Sequence, residues 1–249
     1  MGIIIKSDRE IAAMRQAGKI VAEILAILKQ SIQPGVKTIE LDAIAEREIK
    51  KRGAIPSFKG YHGYPGSVCI SINDQIVHGI PGKRVIKEGD LVSLDLGAII
   101  DGFHGDSAVS VVAGKGSAEV NKLIETTHGA LNAGIAKARA GLRLGDISAA
   151  IQQYAEKDGY SVVREYTGHG IGREMHEEPQ ILNYGREGTG PLLKKGMTLA
   201  LEPMLNAGGW GTRVDEDCWT VYTADGSLSA HFEHSVAITD GDPQILTEI

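Results

Sequence analysis

The chain has 249 residues, 42% of them apolar and 23% charged, enough to build and enclose a sizeable core, which excludes a disordered or fibrous protein. Its formal charge of −6 comes without any basic run, so neither nucleic acid nor an anionic membrane meets an electrostatic footprint to bind. Cys69 and Cys218 show no zinc-knuckle or disulfide spacing, no apolar run reaches a membrane span, Lys6 stands where a myristoylation signal needs Ser or Thr, and no secretory leader is visible, so the expected location is the cytoplasm.

Ser7 and Glu10 form a capping-box signature for the first predicted helix, whose Ile11, Met14, Val21, Leu25 and Leu28 fall on one stripe before Pro34-Gly35 ends it. The segment that follows, GVKTIELDAIAEREIKKRG from Gly35 to Gly53, recurs as GLRLGDISAAIQQYAEKDG from Gly141 to Gly159, at an offset of 106 residues. Further on, KEGDLVSLDLGAIIDGF ending at Phe103 matches KKGMTLALEPMLNAGGW ending at Trp210 at an offset of 107, which sets Glu202 on the position of Asp95. Each half thus reads helix, helix, strands. The halves, about 1–114 and 115–249, meet near Gly114 to Gly116 within a single catalytic domain spanning 1–249. The expected class is α+β, a curved antiparallel sheet backed by helices.

In the predicted strand around Asp95, Val92, Leu94 and Leu96 alternate with Ser93, Asp95 and Gly97, so a period of two turns Asp95 away from the apolar side chains. Asp101-Gly102 is a two-residue hairpin signal, and the register it sets puts Asp95 opposite Ala108 and Asp106 on the same face as Asp95. The repeat brings Glu202 to this region. Glu233, in HFEHS, is expected on a return strand after a further hairpin around Asp225-Gly226, and His169, in GHGIG, supplies an imidazole. Any one of these acids alone would read as a surface charge. Together, four carboxylates and one histidine suit two divalent cations, whose four positive charges they offset, and an oxygen-rich shell favours Mn, Fe(II) or Co. A water between two such cations loses its proton near neutral pH and becomes a nucleophile, so the chemistry expected is hydrolysis.

At these positions the chain resembles the type I methionine aminopeptidases, with YHGYPGSVCIS, NDQIVHGIPG, DGFHGDSA, GHGIGREMHEEP, LEPM and FEHS in that family's order from about Ile5 to the last strand. The resemblance implies the pita-bread α+β fold and removal of the initiator methionine from proteins with a small second residue. It assigns the metal ligands to Asp95, Asp106, His169, Glu202 and Glu233. Asp106 and Glu233 would bridge both ions, His169 and Glu202 would complete one shell, and Asp95 the other. It also gives Glu202 a proton-shuttling role, sets His78 against the scissile amide nitrogen, and sets His176 against the carbonyl oxygen as it becomes an oxyanion. The methionine pocket would be formed by Phe58, Tyr61, Tyr64, Cys69 and Trp219, with Met175 in its wall. The partners implied are nascent polypeptide N-termini at the ribosome, met by a monomer.

Three positions depart from the family's usual pattern: Met175 where several relatives have Phe, Gly97 where a hydroxyl residue is frequent, and Ala200 where Thr is frequent. They bear on the pocket wall and on the bonding of the carboxylates. The chain lacks the helical insertion of type II enzymes and a zinc-binding N-terminal extension, as the short bacterial type does. His62, His104, His128, His231 and His234 are expected to be packed or surface residues. Two other functions share this fold. An Xaa-Pro aminopeptidase or prolidase would normally carry a whole N-terminal domain, and a non-catalytic RNA- or protein-binding member would have lost the ligands.

Overall fold

A computed structural model describes residues 2–249, and in it a helix pair opens each half. The first half runs α1 (Asp8–Ser31), α2 (Thr38–Lys51), β1 (Ile55–Pro56), β2 (Cys69–Ile72), β3 (Gln75–Val77), β4 (Leu91–Ile100) and β5 (Phe103–Val112). The second begins with α3 (Ala118–Ala136) and α4 (Leu144–Lys157). Its strands are β6 (Ser161–Val162), β7 (Gly168–Gly170), β8 (Glu177–Ile181), β9 (Thr198–Leu201), β10 (Met204–Asn206), β11 (Thr212–Val214), β12 (Val221–Thr223), β13 (Ser229–His231), β14 (Glu233–Ala237) and β15 (Gln244–Ile245).

The capping box forms as expected: the Glu10 carboxylate accepts from the Ser7 N–H at 2.9 Å, and Ser7 Oγ accepts from the Glu10 N–H at 3.4 Å. The helix ends at Ser31, just short of Pro34. Helices α2 and α4 keep the 106-residue offset at both ends, and the glycines that follow them, Gly53 at φ +71° and Gly159 at φ +84°, occupy the left-handed conformation of a C-terminal cap. Their N-terminal sides are anchored alike, since Gly35 N–H donates to Ile86 O at 2.8 Å and Gly141 N–H to Leu193 O at 3.0 Å.

Nine strands form the main sheet, in the order β1-β4-β5-β14-β9-β7-β8 with β2 beside β4 and β15 beside β14, and each recorded pairing is antiparallel. Two three-stranded sheets, β13-β10-β6 and β11-β12-β3, extend it. Asp101 and Gly102 have φ of +52° and +76° with Ile100 opposite Phe103, the positive-φ pair that a tight two-residue hairpin requires. Asp225-Gly226 behaves differently from expectation. The chain turns there, but β12 pairs with β11 and β3 while β13 pairs with β10, so no hairpin closes. The Asp225 carboxylate accepts from Gly209 N–H at 2.7 Å and Ser227 N–H at 3.0 Å, and this local bonding bends the chain from one small sheet to the other.

The helices cover one face of the main sheet. Val92, Leu94, Leu96 and Ala98 of β4 cluster with Val21, Ile24 and Leu28 of α1 and with Leu41, Ala45 and Ile49 of α2. Leu199, Leu201 and Val236 cluster in the same way with Leu123 and Leu131 of α3 and Ile147 and Ile151 of α4. Burial of these side chains, at roughly 1.5–3 kcal/mol each, fixes which way every strand faces. The opposite face is left to the acidic residues. No helix among the described residues is long and apolar enough to cross a membrane.

Helix α1 meets the sheet through glycines. A Cβ on Gly105 would lie 2.6 Å from Gly18 N, and one on Gly18 would lie 2.2 Å from Leu246 O. Both contacts are to backbone, which cannot swing aside. Gly105→Ala is therefore expected to destabilise the protein by about 1–3 kcal/mol through overpacking, read as a lower urea midpoint at unchanged m-value; a midpoint equal to wild type would show that the helix can lift off the strand without cost.

Candidate metal centre

The register of the sheet explains how residues far apart in sequence share one surface. Asp95 on β4 is opposite Ala108 on β5, and Ala108 is opposite Glu233 on β14, a row of three across neighbouring strands with the smallest side chain in the middle. Asp106, two residues from Ala108, points to the same side. His234 on β14 is opposite Leu201 on β9, so continuing that register by one residue sets Glu233 against Glu202. His169 on β7 is opposite Ala200, two residues from Glu202. All five side chains thus project from one face of five consecutive strands.

Glu202 differs from Asp95 in one respect. Asp95 sits inside an unbroken strand, whereas the strand interrupts at Glu202-Pro203 between β9 and β10. The neighbouring chain interrupts alongside it at Phe232, whose N–H donates to Pro203 O at 3.3 Å. Both chains leave the main sheet for the β13-β10-β6 sheet at this corner, which carries Glu202, Glu233 and His231 together.

Within this group, Asp106, His169 and Glu233 are the tightest, each offering a ligand atom within 4.8 Å of the others. Glu202 Oε1 lies 3.6 Å from His169 Nε2. His169 Nδ1 is 2.8 Å from Gly170 O, so it must carry the proton it donates, leaving the Nε2 lone pair for the acids. Burial pushes this imidazole down to about 3, which keeps it neutral. Gly168 and Gly170 flank it because a Cβ on either would strike backbone, Ala200 O at 2.4 Å or Glu178 O at 2.2 Å.

The carboxylates show the opposite shift. Burial raises Asp106 to about 7. Burial, then the charge of Asp106, holds Asp95 well above its ordinary range, and burial followed by the neighbouring acids does the same to Glu202 and Glu233. Asp95 Oδ1, Asp106 Oδ1 and Glu233 Oε1 are buried without any hydrogen-bond partner.

A cavity of about 330 Å³ opens on this acidic surface, and every one of the thirteen residues singled out from the sequence lines it. Its apolar end is formed by buried Phe58, Tyr64, Cys69 and Met175, with Tyr61 and Trp219 partly exposed beside them. Tyr64 and Trp219 meet edge to face at 5.1 Å, and the Tyr64 hydroxyl donates to Gly79 O at 2.9 Å. Burial and the facing Asp95 push the Cys69 thiol well up, so it lines the wall as a neutral group. His78 holds a left-handed φ of +61°, and a Cβ on Gly79 would lie 2.2 Å from Ile70 O, so the backbone is pressed onto β2 and the imidazole is directed into the cavity. Burial lowers His78 to about 4. His176, at the mouth, has its ring 4.3 Å from that of His169 and its Nδ1 2.7 Å from the Tyr61 hydroxyl.

Two of the unusual positions acquire reasons here. A Cβ at residue 97 would sit 2.7 Å from Ser57 Cβ and 2.8 Å from Phe58 Cε1, so Gly97 is what allows Phe58 to reach the cavity. Met175 joins Phe58, Tyr64 and Cys69 in one apolar cluster. The structure offers no reason for Ala200 beyond its full burial among Met14, Ile171 and Leu246.

Two histidines expected only to pack or face solvent stand at the site. His62 lines the cavity mouth next to Tyr61. His231 is fully buried, with Nε2 3.8 Å from Glu202 Oε2 and no hydrogen-bond partner. The period-two spacing of His231 and Glu233 was a usable signal for the second, and adjacency within YHGY for the first. The other three are as expected: His104 bonds Ser57 Oγ at 2.9 Å, His234 bonds Thr247 Oγ1 at 2.8 Å, and His128 is exposed at the surface beside the Phe232 ring.

Comparison with known proteins agrees with this geometry. Residues 12–240 match the pattern of Metallopeptidase family M24. Methionine aminopeptidase 1 of Bacillus subtilis is 53% identical over 247 residues, covering 99% of this chain and 100% of the relative. The crystal structure of methionine aminopeptidase from Rickettsia prowazekii superposes with a TM-score of 0.98 at 45% identity, covering 99% of this chain and 100% of that one. The prolidase of Pyrococcus furiosus shares the fold alone, at 24% identity and a TM-score of 0.81, with 99% of this chain matching 66% of that one. The architecture is thus the pita-bread α+β fold, and the chain is a member of metallopeptidase family M24.

Proposed function

We propose that this protein hydrolyses the peptide bond after an N-terminal methionine, releasing it from newly made polypeptides whose second residue is small. The observation that carries the reading is the joining of an acidic, histidine-bearing surface to a closed apolar pocket in one cavity of about 330 Å³. The flexible, unbranched thioether of methionine suits apolar walls of Phe58, Tyr64, Trp219, Met175 and Cys69.

Divalent cations, which membership of M24 implies, fit the residues present. Four carboxylates buried side by side repel one another, and three of their oxygens have no donor within the protein, an arrangement that cations would relieve. Asp95, Asp106, His169, Glu202 and Glu233 are the residues that would hold two of them, and Asp106 and Glu233, in the middle of the group, are the ones that would be shared. The oxygen-rich donor set favours Mn, Fe(II) or Co. When bound, the cations supply Lewis acidity toward water and toward the scissile carbonyl.

The chain's own groups do the rest. Glu202 accepts the proton of the attacking water and delivers it to the leaving amine. His78, neutral because burial holds it near 4, donates its N–H at the scissile nitrogen. We assign the tautomer of His176 in which Nδ1, 2.7 Å from the Tyr61 hydroxyl, accepts from it and the proton sits on Nε2, the nitrogen left to stabilise a developing oxyanion. Two free cysteines support a reducing, cytoplasmic setting, and a charge of −6 supports the absence of nucleic-acid binding; the nascent N-termini that the reaction acts on would be met at the ribosome by a monomer.

Three outcomes are expected. With added Mn(II) or Co(II), the protein should release methionine from Met-Ala-Ser and leave Xaa-Pro peptides intact, as followed by chromatography of the products; preference for Xaa-Pro bonds would move the chain to the prolidase activity. Asp106→Ala or Glu233→Ala should abolish turnover while circular dichroism stays native, and retained activity would refute their assignment as shared ligands. The third concerns pH. The raised Asp106 keeps its proton in the folded protein up to about 7, while an unfolded carboxyl releases it near 3.8. Stability of chelator-treated protein should therefore be greatest below pH 4 with respect to this group and fall as pH rises toward 7. Divalent cation should reverse that loss, and calorimetry showing equal thermal midpoints with and without cation at pH 7.5 would contradict the metal assignment.

A further inference from the structure

The loop that presents Met175 and His176 is held from beneath by a buried ion pair contributed by the opposite end of the chain. Lys6 Nζ pairs with Glu177 Oε2, and the two side chains are 3% and 5% exposed. The second oxygen of Glu177 accepts from the N–H of Arg173 at 3.0 Å and of Glu174 at 3.4 Å, so this carboxylate organises the turn that precedes His176. Gly172 wraps against the pair, since a Cβ there would lie 2.4 Å from Glu177 Oε1 and 2.6 Å from Lys6 Cε. Lys6 is itself fixed, its N–H donating to Gly196 O at 2.7 Å. On the outer side, the Arg173 guanidinium lies 4.2 Å over the Phe103 ring and 3.6 Å from Glu10 at the start of α1.

We infer that Lys6 and Glu177 are positioning residues for the reaction: the segment before α1 acts as a strap whose buried ammonium orders the Gly172–His176 turn, so that His176 stands at the height the oxyanion needs. The inference rests on the oxyanion role proposed for His176. Nothing else found in the structure explains why a lysine is taken out of water here, because a buried pair seldom stabilises a fold more than apolar residues of similar size would. Its directional bonds instead fix a geometry, and an error of about 1 Å at a catalytic group costs on the order of 100-fold in rate.

The test is a double-mutant cycle on the metal-loaded enzyme, using Lys6→Met, His176→Ala and the combination, with kcat and KM for Met-Ala-Ser measured separately. If the strap acts through His176, Lys6→Met lowers kcat by about 10–100-fold with KM nearly unchanged, Lys6→Arg restores much of it, and Lys6→Met has no further effect once His176 is alanine. Additive losses in the double variant, or a loss confined to KM, would overturn the inference. Full activity in His176→Ala would instead strike at the role proposed for that histidine, and with it the strap's purpose. Should Lys6→Met not fold, Glu177→Gln enters the same cycle, since it retains an acceptor for the Arg173 and Glu174 N–H groups while weakening only the hold on Lys6.

Discussion

Four carboxylates crowded onto one face of a sheet, away from water, are the constraint on which this structure turns. Such a group is unfavourable by itself: burial raises all four, and neighbouring acids raise Asp95, Glu202 and Glu233 further. It persists because the opposite face leaves the strands no freedom. Leu94, Leu96, Leu199, Leu201 and Val236 are locked against four helices, and a one-residue slip of any strand would expose them. The apolar side thus sustains electrostatic strain on the polar side, and that strain makes the site receptive to divalent cations.

The histidines around the acids divide by environment. His169 and His78 are desolvated and stay neutral, which suits the ligand and donor roles proposed for them. His176 stands at the mouth, where a tyrosine hydroxyl, not burial, sets its orientation. The glycines beside His169 and His78 have a common purpose, since each lets backbone press against backbone at a distance no Cβ would permit. Gly97 does the same for a side chain by admitting Phe58.

Much of this could be read from the sequence because it depends on local periodicity. The alternation of β4 and the Asp101-Gly102 turn each follow from a rule operating over a few residues and place Asp95 and Asp106, while the internal repeat, at its 107-residue offset, places Glu202. The motifs carried by resemblance supplied the cavity's apolar wall and the two histidines, His78 and His176, that line it. What was not legible depends on partners distant in sequence. Asp225-Gly226 has a hairpin's composition, but whether flanking strands pair is decided by β3 and β10, elsewhere in the chain. His231 was expected only to pack or face solvent because its neighbour Glu202 arrives from another strand, and the Lys6–Glu177 pair left no local signal because its members lie 171 positions apart.

The corner where two chains leave the main sheet side by side, at Glu202-Pro203 and at Phe232, has a bearing on biosynthesis. The acidic face is assembled from β4, β5, β7, β9 and β14, so no contiguous fragment short of residue 233 contains it. Glu233 is the last of the five residues to be synthesised, and the strand that carries it, β14, lies between β5 and β9 and joins the two halves of the acidic face.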